Sequence, residues 1–373
     1  YGGTQVVLHI EGKRYLALAH AMAGRRLLSS EAGNIVHVEG ERVSMPSNAT
    51  MRYAPRHIVG TFSVDFVGER ISPASPLFRS ANKARSIMLR AAQQMPREDA
   101  ALFMGLVIGD DRAQPRAMIS SFRNSGLSHL TAVSGQNVAF VLAVFGVYIN
   151  RARTWWRLGL TLFLLMWFVV MTRAEPSVLR AAMMAAMSAV AFARGRDLSA
   201  QKALLYSVVV LLSIDPLLIL SIGFWMSALA TCGLIFVSPR VKKFLHGPKW
   251  IIDPLATTLG AQVGVLPISL LVFSSAPAIS LVTNLLAVPV AGFVMLAGLP
   301  VAFICGLLIT LIGPAVSPLC MVAMLPIQCA TRWVWWVAVV GERMSPHGMA
   351  NVLLWLVWGV FLVVLHRSAR MHT

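Results

Sequence analysis

Polar and apolar positions follow two different rhythms along this chain. Over residues 1–68 they alternate in short runs, GTQVVLHI, KRYLALAH, GNIVHVEGERV and RHIVGTFSVDFVG. In the third run Val36 and Val38 alternate with His37 and Glu39, although Ile35 beside Val36 blurs its start. Period-two runs of about five to eight residues between glycines predict a small β domain of about four or five strands. A small barrel of the OB type fits that length, and so does another antiparallel β insert. The chain starts at Tyr1 rather than Met, and the β pattern begins almost at once. That start predicts further residues upstream.

Farther along, the apolar positions fall in blocks at 158–171, 178–193, 203–214, 217–237, 255–273, 279–312, 318–329 and 352–366. A membrane span needs roughly 20 apolar residues, fewer where helices are short or broken, so the blocks predict about nine spans or half-spans. Whether 279–312 holds one helix or two stays open. Between the two regions, Leu77, Phe78, Ala81, Ala84, Ile87, Met88, Ala91 and Met95 recur at helical spacing. Arg79, Lys83, Arg85 and Arg90 fill the other positions. This basic amphipathic helix is expected to lie in the membrane interface, with docking on the membrane region as the alternative. A second helix over 98–108 stops at Gly109. The expected architecture is a mainly α polytopic membrane protein preceded by a small OB-like β domain. Its parts are the β domain (1–70), interfacial helices (71–112), a transmembrane domain (113–345), and a last helix with a basic tail (346–373).

Composition agrees. Only 13% of residues are charged and 57% are hydrophobic, with mean hydropathy +0.70. A soluble domain carries about 25% charge. Net charge is +17, and much of it sits in short connections: Arg151, Arg153 and Arg157; Arg194, Arg196 and Lys202; Arg240, Lys242, Lys243 and Lys249. Such loops face the cytoplasm as topology signals, and could also hold a polyanion near the inner mouth. The connections around 173–177 and 274–277 then face out. Trp155–Trp156 and Trp333–Trp336 flank arginines at span ends and read as an interfacial aromatic belt.

Catalytic and metal signals are lacking. Cys232, Cys305, Cys320 and Cys329 lie in apolar blocks without a CxxC or Cys/His cluster, so no zinc site, disulfide framework or cofactor is expected. No Walker A, GxSxG or HExxH motif occurs, and Glu175, Asp215 and Asp253 stand only near span ends. Asp215 before Pro216 reads first as a helix N-cap.

One segment does stand out. Residues 126–138 read GLSHLTAVSGQNV and run straight into an apolar stretch. Polar groups and glycines are costly at the mouth of a membrane helix, and are tolerated where they line a wet cavity or are buried in protein. His129, Ser134, Gly135, Gln136, Asn137, Gln262 and Asn284 are therefore the uncharged pathway candidates. Arg180, near the start of an apolar span, is the cationic one. Other roles stay open: bundle hydrogen bonds for Gln262 and Asn284, snorkelling or pairing with Glu175 for Arg180, capping or packing for His129. Ala181, Ala182, Ala185, Ala186 and Ala189 form a small-residue face suited to close helix packing.

Taken in order, GLVIGDDRAQP with FRNSGLSHLTAVSGQNVAFV, EPSVLRAAMMA, DPLLILSIGFWMSALATCGLI and LGAQVGVLPISLLVFSSAPAISLVTNLLAVP resemble the competence domain of ComEC-type DNA uptake channels. The resemblance implies passage of single-stranded DNA across the inner or sole membrane during natural transformation. It also implies an OB-like domain outside the cytoplasm. Its implied partners are a competence DNA receptor and a cytoplasmic DNA translocase, besides membrane lipids and a possible second copy of the chain. Gln136 and Asn137 stand where the family often has a His after the serine-glycine motif. Many members carry a metallo-β-lactamase-like domain, but no HxHxDH run occurs here, so no nuclease activity is assigned. The basic tail at 366–370 argues for a cytoplasmic C-terminus, the family's extra domain for an external one. A transporter for another polar or anionic solute is the alternative reading.

Overall fold

The computed structural model describes residues 4–45, 53–131, 134–245, 247–273 and 277–346, with positions 348, 350, 351, 353–355 and 358 beyond them. The apolar block at 352–366 and the tail at 366–370 fall largely outside the described residues. The chain divides into two compact units.

One unit comprises Tyr1–Arg85 with Val209–Trp225. Its strands are β1 (Thr4–Ile10), β2 (Lys13–Ala19), β3 (Ile35–Val43) and β4 (Ile58–Ser72), in the order β1-β2-β4-β3. Glu11 and Gly12 both have positive φ, which closes β1 and β2 into a tight hairpin. The period-two reading of the strands holds, and β1 alternates strictly between half-buried and exposed positions. The all-antiparallel alternative does not hold, because β2 runs parallel to β4. A parallel pair needs a crossover, and the connection from β2 to β4 runs through helix α1 (Ala21–Ser29) and strand β3. The sheet is open at β1 and β3, and among the described residues no strand bridges those edges into a closed barrel. Ala23 and Leu27 of α1 pack with Tyr15, Ala17, Ala19, Phe62, Val64 and Val67 into one core.

In the same unit, Asp215 does what its place before Pro216 predicts. Its Oδ1 accepts from the Leu217 amide at 3.1 Å and caps a short 3-10 turn, Pro216–Leu220. Its Oδ2 meets His57 Nε2 at 2.8 Å.

The other unit comprises Ser86–Val208 with Met226–Thr373. In chain order the remaining helices are α2 (Pro76–Ala92), α3 (Arg97–Ile108), α4 (Arg116–Asn124), α5 (Ser128–Thr131), α6 (Gly135–Ile149), α7 (Thr154–Met171), α8 (Pro176–Ala193) and α9 (Ala200–Ile214). They continue with α10 (Ile222–Phe236), α11 (Ser238–Phe244), α12 (Lys249–Phe273), α13 (Ser280–Ile312) and α14 (Ser317–Met344). Among the described residues, six segments are long and apolar enough to cross a membrane: α7, α8, α10 with α11, α12, α13 and α14. Helices α6 and α9 are apolar but have 15 residues each, about 22 Å, short of a bilayer core of about 30 Å. Large apolar side chains stand exposed along these helices, Leu271 at 85% and Leu311 at 73% among them. Lipid, not water, suits such a surface. The fold is that of a mainly α polytopic membrane protein with a small β domain.

The 279–312 block is a single helix of 33 residues that keeps Pro289 and Pro300 in its interior. Helix α2 is docked on protein over part of its length. Ile87, Met88 and Ala91 of its apolar stripe are buried, and the Ile87 carbonyl faces Gly306 of α13. Protein covers this part of its apolar face, whereas Phe78 in its first turn is exposed.

Helices α10 and α12 cross at backbone distance. A Cβ on Gly233 would sit 2.0 Å from the Gly260 carbonyl, and one on Gly264 would sit 2.2 Å from the Leu229 carbonyl. Only glycines permit that approach, the small-xxx-small packing of membrane helices. Polar pins hold α14 in place. Asp99 of α3 is fully buried and takes a forked bond from Arg332, 2.9 and 3.3 Å. Glu342 accepts from Asn124 of α4 at 2.8 Å, and also from Ser121.

Candidate functional site

The N-terminus of α6 is built by its own polar residues. Ser134 Oγ accepts from the Gln136 amide at 3.3 Å and so caps the helix. Asn137 Oδ1 accepts from the Ser134 amide at 3.3 Å and from the Ser134 hydroxyl at 3.0 Å. Asn137 Nδ2 donates to the carbonyls of Leu106, at 2.9 Å, and Val107, at 3.4 Å. Those carbonyls close the last turn of α3, where helical partners run out. Asn137 is thus buried and committed on both sides of its amide. It fixes the start of α6 against the end of α3 and has no group left over to meet a passing solute.

Arg180 stands beside that helix start. It is 4% exposed. Its Nε and Nη2 donate to the Ser227 hydroxyl of α10 at 3.1 and 2.7 Å, and Nη1 reaches the Met184 sulfur at 3.2 Å. No carboxylate among the described residues pairs with it, Glu175 included. Gly135 lets α6 come this close. A Cβ there would lie 3.0 Å from the Ala181 Cβ and 3.4 Å from Arg180 Nη2. A helix N-terminus carries about half a positive charge. Here it faces a buried guanidinium with no counter-ion among the described residues, an arrangement that an anion between them would stabilise.

Charged residues lie together just after α3 and between α7 and α8. Arg112 grips Asp110 with two bonds of 2.6 and 2.7 Å, which holds its guanidinium above its ordinary value. Arg173, in the turn between α7 and α8, is pulled below its ordinary value, first by desolvation and then by the nearby Arg112. Asp110, Asp111 and Glu175 oppose that pull. Arg173 and Ala174 hold left-handed φ values of 59° and 55°, which is costly for residues other than glycine.

A second polar group lies on α12 and α13. Gln262 Nε2 donates to the Ser280 hydroxyl, while Gln262 Oε1 and Asn284 Oδ1 are buried with no hydrogen-bond partner among the described residues. Asn284 is 6% exposed and one turn from Ser280. Gly126 packs on Ser280, which brings the loop before α5 to this group. His129 is exposed on α5. The predicted residues therefore form two clusters: Ser134, Gly135, Gln136 and Asn137 with Arg180, and Gln262 with Asn284. Residues 132 and 133, between them in sequence, lie outside the described residues. The sequence reading missed Ser227 and Ser280 as site residues. Ser227 does sit in one of the motif segments, and a lone serine in an apolar helix opposite an arginine was the available signal.

The family model "Competence protein" matches residues 106–370, which takes in every residue of both clusters. The chain belongs to the competence protein family. This competence-family chain is 28% identical over 254 residues to "ComE operon protein 3" of Bacillus subtilis (strain 168), across 65% of this chain and 31% of that protein. It is 25% identical over 211 residues to "Uncharacterized protein YcaI" of Escherichia coli (strain K12), across 52% of this chain and 28% of that protein. The chain thus spans about a third of the length of the curated relatives it matches. No solved structure matches it. Its apolar helices and its membership in the family make it a multi-pass membrane protein.

Proposed function

We propose that this chain forms the route by which a single DNA strand crosses the cytoplasmic membrane during competence, with its β domain outside the cytoplasm. The observation that carries this reading is Arg180, a guanidinium buried against a helix N-terminus with no carboxylate partner among the described residues. A polyanion moving through a membrane needs donors and positive potential, supplied weakly enough that it is released again. One arginine, one hydroxyl and a helix end provide that. The uncharged Gln262 and Asn284 add polar contacts without trapping charge. Family membership supports DNA as the anion. Capture, strand separation and pulling then fall to a DNA receptor and a cytoplasmic translocase. The deciding experiment measures uptake of labelled DNA into the cytoplasm of a deletion strain, with surface-bound DNA scored separately. Loss of internalisation with surface binding retained is expected. Normal internalisation would overturn the reading, and coupled uptake of a small anion into vesicles would replace it.

A further inference from the structure

At the opposite ends of α7 and α8 from Arg180, the chain forms a groove of about 450 Å³ lined by Thr154, Phe192, Ala193, Gly195, Arg196 and Asp197. Arg157 extends over the Phe192 ring, its guanidinium carbon 4.5 Å from the ring centroid. Arg196 is exposed in its lining, Arg151, Arg153, Arg194 and Lys202 are exposed near it in sequence, and none of these is paired with a carboxylate among the described residues. Trp155 and Trp156, in the first turn of α7, are 69% and 72% exposed. Phe192 is itself 53% exposed.

The chemistry of this place is amphipathic. Its cations suit a phosphate, and its exposed Phe and Trp suit the glycerol and upper acyl region beside that phosphate. Tryptophan pairs and arginines at a span end mark headgroup depth, and basic pockets between membrane helices recognise anionic headgroups. We propose that this groove binds the headgroup of an anionic phospholipid. Thr154 and Arg196 contact the phosphate, Arg157 screens it from above Phe192, and Asp197 opposes it as the nearest acid. The site is independent of the DNA route and does not rest on it.

The test uses the full chain in phosphatidylcholine nanodiscs doped with fluorescent phosphatidylglycerol, with retention measured after exchange against unlabelled lipid. Each basic residue near a headgroup strengthens binding by about fivefold, so an Arg157→Gln/Arg196→Gln double variant should lose about thirtyfold. Asp197→Asn should gain about fivefold. Should the double variant fold poorly, Asp197→Asn decides alone, and an unchanged affinity in it overturns the site. Equal retention of phosphatidylcholine overturns it too. Displacement by inorganic phosphate would make it a free-anion site. Displacement by an oligo-dT strand would make it a nucleic-acid surface. Either result would end the lipid assignment.

Discussion

Arg180 donates through Nε and Nη2 to a single hydroxyl, that of Ser227, and so joins α8 to α10 without neutralising its own charge. An arginine kept for packing would be replaceable by an apolar side chain of similar length. Buried charges often cost stability on balance. Arg180→Met should therefore leave the melting temperature of the purified protein unchanged or raised. DNA internalisation should fall by roughly ten- to hundredfold, the worth of one charged hydrogen bond of about 1.5–3 kcal/mol. Uptake of labelled DNA in the complemented deletion strain reads this directly. Full uptake by a stable Arg180→Met protein would remove Arg180 from the route.

Gly135→Ala tests the same place from the other helix. The new methyl would press on Ala181 and on the Arg180 guanidinium, at 3.0 and 3.4 Å. Reduced internalisation with normal membrane insertion is the expected phenotype. The loss should be smaller than that of Arg180→Met, since displacement leaves the charge in place.

Asn137 should behave differently from both. Asn137→Leu leaves the Leu106 carbonyl and the Ser134 amide without their partner, and each orphaned buried group costs about 1–3 kcal/mol. A drop in thermal stability should accompany any drop in uptake. Were uptake lost at unchanged stability, Asn137 would have a direct role that its hydrogen bonds do not explain.

Asp215 has two duties and His57 one. Asp215→Ala removes a helix cap, about 1 kcal/mol, together with the His57 contact. His57→Ala removes only a half-exposed pair, worth about 1 kcal/mol or less. Thermal melts should rank Asp215→Ala as the more damaging, and the double variant should lie close to Asp215→Ala.

The crossing of α10 and α12 makes the strongest stability claim. Gly260→Leu cannot be accommodated where a Cβ already meets the Gly233 carbonyl at 2.9 Å. Membrane insertion scored by protease protection should persist, because each helix remains apolar. The folded fraction in detergent should collapse.

Much of this was legible in the sequence, and the limits were physical. Strand positions followed from alternation, because a half-buried strand must alternate. Helix α1 did not, since AMAGRRLLS is too short to show a period and its role is set by the parallel pairing of β2 and β4. The location around 126–138 followed from the cost of polar groups in lipid. The division of labour within it did not. Asn137 and Gly135 are two residues apart, yet one is fixed by carbonyls some 30 positions upstream and the other by α8. The close packing of Gly260 and Gly264 on α10 was not read from the sequence, since its partner Gly233 is identified only by the crossing. Whether 279–312 held one helix or two was open from its apolar pattern, and α13 runs as one helix with Pro289 and Pro300 inside it.

That unbroken helix has a mechanical consequence. At 33 residues, α13 is about 50 Å long, well beyond a hydrocarbon core of about 30 Å. It must lean or protrude, and the angle it takes follows the thickness of the bilayer. Ile87, Phe103, Ser125, Gly126 and Phe140 all rest on it, as masts share one keel. A thicker or thinner membrane would therefore re-aim the polar groups of this protein together.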